Sequence, residues 1–196
     1  VVAGDGTATG TIGGGSADAA AALRGLSELW GLPVPGAAQL LDIGADVPVC
    51  LESRPARMRG VGEVLDRLPP LPPLWLVLVS PGVAVPTGPV FQSMEVVNNP
   101  PLFMAEWQDA DGFISWLSAA RNDLEAIVRA SVPEVDEVLR ALAAESQCRL
   151  ARMSGSGGTC FGLFTDETTA RDAAARLSSR NGKWWVQAAP VLTEAP

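Results

Sequence analysis

The sequence predicts an α+β fold in which helices are layered on a sheet, and three observations carry that expectation. Strand-like and helix-like runs alternate along the chain, two of the strand-like runs flank a glycine-rich turn at 154–158, and a proline-dense break at 69–73 divides the chain in two. With 196 residues, 47% of them hydrophobic and 18% charged, the chain can bury one good core or two small ones, and disorder is excluded. Fourteen basic against 22 acidic residues give a net charge of −8, which argues against a nucleic-acid surface. Lys183 is the single lysine and there is no His or Tyr, so imidazole acid–base chemistry is excluded within this chain and a bound phosphate must be held locally.

The elements follow in order. Gly13-Gly14-Gly15-Ser16 leads into a helix over 17–32, with Ala19, Leu23, Leu26 and Trp30 at helical spacing, Ser16 as its N-cap and Gly31 as its stop. A short helix over 37–43 ends at Gly44. Residues 45–51 then read as a turn feeding a strand, with Asp46 at the junction. Repeated prolines at 69–73 favour extended backbone and end the first half. Residues 75–79 form a continuous β-favouring run, turned by Ser80-Pro81-Gly82. Helical patterns occupy 111–120, 122–130 and 133–145, the last with proline in its first turn. Strands at 149–153 and 159–164, a helix over 166–180 closed by Gly182, and a last strand over 183–188 complete the chain. The stripe Ile127, Val135, Val138, Leu139 and Leu142 is expected to be core. Trp75, Trp107, Trp116, Trp184 and Trp185 are expected as core or interface fillers, and Asp109, Asp111, Glu134, Asp136 and Glu137 as solvated faces and helix starts rather than a metal cluster.

The longest apolar run, 74–79, is boxed in by prolines and falls far short of the ~20 residues that span a bilayer. Cys50, Cys148 and Cys160 have no paired spacing, which suits reduced thiols in a cytoplasmic protein and gives no metal site. The opening Val1-Val2-Ala3-Gly4-Asp5-Gly6 lacks both Met and the pattern of a signal peptide, so the chain is expected to have been cut from something longer.

Three glycines before an Ala-rich helix can bring unpaired backbone amides, and the positive end of the helix dipole, against an anion. Neither the lysine-bearing phosphate loop nor the spaced-glycine dinucleotide fingerprint fits here, and a flexible lead-in to a helix is the alternative. The second glycine-rich segment, Met153-Ser154-Gly155-Ser156-Gly157-Gly158-Thr159, reads by itself as a hairpin turn that needs positive φ. Asp46, in Gly44-Ala45-Asp46-Val47-Pro48, reads by itself as a turn former, or as a carboxylate partly shielded from water and stiffened by Pro48.

Taken together, Thr11-Ile12-Gly13-Gly14-Gly15-Ser16-Ala17-Asp18-Ala19-Ala20, Gly44-Ala45-Asp46-Val47-Pro48, Pro81-Gly82-Val83 with Pro86-Thr87, Asn122-Asp123-Leu124-Glu125 and the segment from Met153 to Phe161 resemble, in order, the GHMP small-molecule kinases. That superfamily includes galactokinase, homoserine kinase and mevalonate kinase. The resemblance implies a GHMP-kinase-like α+β, two-layer architecture, with residues 1–70 as the second half of the ATP-binding domain and 71–196 as a ferredoxin-like C-terminal domain. It implies ATP and Mg²⁺ as cofactors, and phosphorylation of the 2-hydroxyl of a cytidine-diphosphate-linked methylerythritol on the non-mevalonate route to isoprenoid precursors. Gly13, Gly14, Gly15, Ser16 and Ala17 would hold the ATP phosphates, and Asp46 would be the base for the substrate hydroxyl. Gly155, Ser156 and Gly157 would stand near the substrate, as would Thr87, with Phe91 against the cytosine. A small molecule is then the partner, with neither nucleic acid nor membrane.

The family also places a lysine beside the catalytic aspartate and a histidine against the cytosine, both in an N-terminal segment with no counterpart here, and its lead-in differs from Gly10-Thr11-Ile12. Little or no kinase activity is therefore expected of the isolated chain. A homoserine- or mevalonate-type kinase and a non-catalytic nucleotide-binding remnant are the competing readings.

Overall fold

A computed structural model describes residues 13–95, 99 and 102–192. They fall into two compact units, one running to Leu71 and including Leu192, the other Pro72–Val191. Thr11, Ile12 and the first ten residues lie outside the described part.

The first unit begins with α1 (Gly14–Trp30), so Gly14, Gly15 and Ser16 already form its first turn, and the N-cap is Gly13 rather than Ser16. Gly13 takes φ 66°, a left-handed conformation open to glycine at little cost, and its carbonyl accepts from Ala17 N at 2.9 Å. Gly31, also left-handed, closes the helix. α1 packs through small residues, with Ala20 fully buried and Ser16 half-buried one turn before it, and Arg24 extends the same row at its exposed end. Leu26 and Trp30, two of the residues at helical spacing, are exposed. α2 (Ala37–Ile43) ends at Gly44, and residues 45–51, expected to turn into a strand, instead supply α3 (Val47–Glu52). Pro48 sits where its missing N–H costs nothing, in a first turn whose amides have no intrahelical partner, and Val47, Pro48 and Cys50 are buried. An antiparallel hairpin, β1 (Ala56–Arg59) and β2 (Val64–Arg67), completes the unit; the sequence reading did not include it.

The second unit is a four-stranded antiparallel sheet under helices. β3 (Trp75–Ser80) is central, and its residues 77–80 are buried in an unbroken row. After α4 (Thr87–Gln92), α5 (Ala110–Ala119), α6 (Glu125–Ser131) and α7 (Pro133–Ala143), the hairpin of β4 (Leu150–Met153) and β5 (Cys160–Phe164) returns to the sheet. α8 (Glu167–Arg180) and β6 (Trp185–Pro190) follow. The order β4-β5-β3-β6, with every pairing antiparallel, is the split βαβ arrangement of a ferredoxin-like domain. Asp109 and Asp166 cap α5 and α8 by accepting from Gly112 N and Thr169 N.

α7 and α8 bury their apolar stripes against this sheet. Val135, Val138, Leu139 and Leu142 meet Val77, Val79, Phe164, Ala173 and Leu177 in one core, which Trp184 joins and Ile127 flanks. Glu145, buried beside that core, accepts from Arg176 Nη2 at 2.7 Å and lies 3.4 Å from Arg180 Nη1, so its charge is paired. The rings of Trp107, Phe113 and Trp116 meet edge-on or tilted at 4.9–5.8 Å between centroids, and Lys183 is exposed in the turn before β6 rather than in the expected strand.

Candidate active site

In the first unit the glycine segment and Asp46 come together. A Cβ added to Gly13 would lie 3.9 Å from Asp46 Oδ2, and one added to Gly44 would lie 3.7 Å from Ser16 Oγ. The carboxylate therefore faces the start of α1. Its residue is the N-cap position of α3, but the side chain makes no capping bond and Asp46 is exposed rather than shielded. The first turn of α1 holds no acidic side chain, and its leading amides have no partner within the helix, which leaves partial positive charge there. Space is open above Gly15, where an added Cβ would meet nothing within 4 Å.

Two supports for this arrangement lie outside the motifs. Arg24 Nη1 donates to Leu51 O at 2.9 Å, Cys50 O at 3.3 Å and Ser53 Oγ at 3.1 Å, tying α1 to the end of α3 and so to Asp46. Gly62, at φ 113° in the hairpin turn, approaches Ala45 so closely that an added Cβ would stand 2.2 Å from its carbonyl oxygen. Spacing by four residues from Ser16 was the available signal for Arg24; nothing local marked Gly62. Beside them, the Cys50 thiol is pushed up by burial and then by the Asp46 charge.

In the second unit, Phe91, Ser154, Gly155 and Ser156 line one cleft of about 570 Å³, with Met94, Arg121, Asn122 and Arg152. Phe91 is 55% exposed, leaving its ring available to stack. Thr87 Oγ1 lies 3.1 Å from Ser156 Oγ, so this predicted pair is in contact. The glycine segment is the turn of the β4–β5 hairpin, with Gly155, Gly157 and Gly158 at φ 53°, 111° and 84°. A Cβ on Gly157 would press to 3.1 Å on Val85, whereas one on Gly155 would meet nothing within 4 Å. Arg152 spends its guanidinium on Leu117 O and Ser118 O at the end of α5. The Cys160 thiol is pushed up to about 12, first by burial and then by Glu125. Among the described residues no group of His, Cys, Asp and Glu could by itself hold a metal ion.

The sheet order and these two glycine sites define a class. Residues 104–183 match the family described as GHMP kinases C terminal, so the chain carries the C-terminal domain of that family. Within that family it is 58% identical over 183 residues to the 4-diphosphocytidyl-2-C-methyl-D-erythritol kinase of Jannaschia sp. (strain CCS1), covering 93% of this chain and 64% of that protein. A crystal structure of 4-(cytidine 5'-diphospho)-2C-methyl-D-erythritol kinase superposes with a TM-score of 0.68 at 36% identity, over 90% of this chain and 65% of the other. The homoserine kinase of Cytophaga hutchinsonii shares the fold, with a TM-score of 0.66 at 15% identity over 96% and 68%. The chain thus spans slightly less than two thirds of the length of the cytidyl-alcohol kinases it matches.

Proposed function

We propose that this chain belongs to an enzyme that phosphorylates the 2-hydroxyl of 4-diphosphocytidyl-2-C-methyl-D-erythritol with ATP, in the making of isoprenoid precursors. The observation that carries this reading is the Asp46 carboxylate facing the free first turn of α1. The names of the relatives at 58% and 36% identity support the choice of alcohol. Phosphoryl transfer requires alignment and charge neutralisation more than covalent chemistry. Gly13, Gly14, Gly15, Ser16 and Ala17 frame the ATP phosphates, with the free amides of the first turn and the helix dipole supplying the positive end while Ala17 N closes the turn on Gly13 O, a cradle suited to an acidic chain with one lysine. Mg²⁺, carried in on the phosphates, would neutralise their charge. Asp46 orients the substrate hydroxyl and receives its proton as the oxygen bonds to phosphorus and the bond to ADP breaks. Because an ordinary carboxylate, at a pKa of about 4, is a poor base for an alcohol, that proton moves late, in a loose transition state.

Thr87, Gly155, Ser156 and Gly157 belong in this reading to the substrate end, with Phe91 stacked on the cytosine. Cytoplasmic location and a small-molecule partner follow from the same reading; no described helix is long and apolar enough to cross a membrane.

The test is a titration with ATP, with and without Mg²⁺, followed by ADP formation with the cytidyl alcohol, homoserine and mevalonate in turn. The 196-residue chain is expected to bind Mg²⁺-ATP with little or no transfer; the enzyme to which it belongs is expected to transfer to the cytidyl alcohol alone, and to lose that transfer in Asp46→Asn while nucleotide binding persists. No nucleotide binding, or equal turnover of the three alcohols, overturns the assignment. Binding without turnover of any alcohol by that enzyme marks a non-catalytic module.

A further inference from the structure

The segment Asn122-Asp123-Leu124-Glu125 takes no part in the chemistry above, yet it touches the glycine turn directly. Three residues of that turn have positive φ, and glycine backbone of this kind is held in place only by the bonds made to it. Inside the turn, Ser154 N donates to Thr159 O at 2.9 Å and Gly157 N to Ser154 O at 3.1 Å. From outside, the Asn122 carboxamide nitrogen donates to Met153 O at 3.0 Å and Gly155 O at 2.8 Å, while Glu125 Oε2 accepts from Met153 N at 2.9 Å. Asn122 Oδ1 accepts from Leu124 N at 3.1 Å, which fixes which end of the amide faces the turn. Asn122, Ser154, Gly155 and Ser156 all border the cleft that holds Phe91.

We propose that Asn122, assisted by Glu125, is a positioning residue that sets the glycine turn at the height where Gly155 and Ser156 can meet the diphosphate of a cytidine diphosphate group whose base lies on Phe91. This rests on the reading of the cleft as the seat of the cytidyl end. The residue type is specified by the contacts. Two carbonyls require two N–H donors on one short side chain; aspartate would set negative oxygen against both, and alanine would leave both without this donor.

The test uses the full 196-residue chain. Cytidine 5′-diphosphate is titrated calorimetrically, and amide hydrogen exchange is read at residues 155–157 and, as an internal control, at 77–79. Asn122→Ala is expected to accelerate exchange in the turn alone and to weaken cytidine 5′-diphosphate about tenfold, the scale of one or two lost hydrogen bonds. Asn122→Asp is expected to weaken it at least as much, and Asn122→Ser, which keeps one donor, to fall between. If Asn122→Ala does not fold, the serine variant reads the same two quantities. Faster exchange in the turn with an unchanged dissociation constant gives Asn122 a structural role only and overturns the proposal, as does unchanged exchange. Absence of binding by the unaltered chain overturns the reading of the cleft itself, and the exchange comparison, which needs no ligand, separates that failure from the other.

Discussion

Glycines at three positions carry quite different burdens. At Gly162 an added Cβ would sit 3.0 Å from Leu142 Cδ2, 3.1 Å from Cys148 Sγ and 3.2 Å from Phe164 Cε2, because α7 and the aromatic ring close directly over β5. Gly162→Ala should therefore destabilise the second unit by about 1–3 kcal/mol, read as a lowered midpoint in denaturant. Gly15 is the converse case: it is helical and open above, so Gly15→Ala should leave the fold as stable as before, or raise it by up to about 1 kcal/mol. The same methyl group would stand where the phosphates are proposed to lie. A thermal scan should show no loss while calorimetry shows ATP binding weakened; retention of full affinity would place the phosphates elsewhere. The residues of the proposed site drew notice only as ordered motifs, since Asp46 and the second glycine segment read by themselves as turn formers. Their supports drew none: Arg24 acts on carbonyls 26 and 27 residues away, and Gly62 matters through one oxygen of Ala45.

At the scale of the element, most runs could be read, including the short helix over 37–43 and the short strands around the glycine turn, while a few short stretches could not. α7 is a strongly amphipathic helix and the strand at 75–80 a solid apolar run, and both lie within a few residues of their expected positions. Residues 45–51 mislead because a short apolar stretch has no period to distinguish strand from helix, and the proline in it serves equally well to start a helix. The β1–β2 hairpin escaped because Ala56–Arg59 and Val64–Arg67 are partly polar and too short to alternate visibly. A bidentate pair crosses it, Arg59 Nε and Nη2 to Asp66 Oδ2 and Oδ1 at 2.6 and 3.0 Å. The hydrogen bonds and charge of Arg59 hold the Asp66 carboxyl below its ordinary range. A depressed folded value means that the stabilisation is complete above the ordinary carboxylate pKa and is lost as pH falls through the lower, folded one. Carboxyl NMR should find Asp66 titrating below a free aspartate, and Arg59→Ala should return it to the ordinary value; an unchanged midpoint would dissolve the pair.

For the whole molecule, the buried cluster from Val77 to Trp184 lies entirely within Pro72–Val191. Residues 72–191 produced alone should unfold in one cooperative transition, followed by circular dichroism and tryptophan fluorescence with coincident midpoints. Non-coincident curves would mean that this core depends on the preceding unit. Five motifs in order made the fold class readable before any coordinate. Strand order was not readable, because the pairing of β3 with both β5 and β6 joins residues 81 to 115 positions apart, a separation that no local pattern reports.

That strand order also bears on how the protein behaves when concentrated. The most apolar ribbon is flanked on either side, so what the sheet offers a neighbouring copy is four residues of β4 at one margin and β6, ending in Pro190, at the other. A four-residue template is too brief to seed much, and an imino acid contributes no amide proton to a docking chain. The architecture that confers its core thus also limits edge-on pairing by this four-stranded sheet.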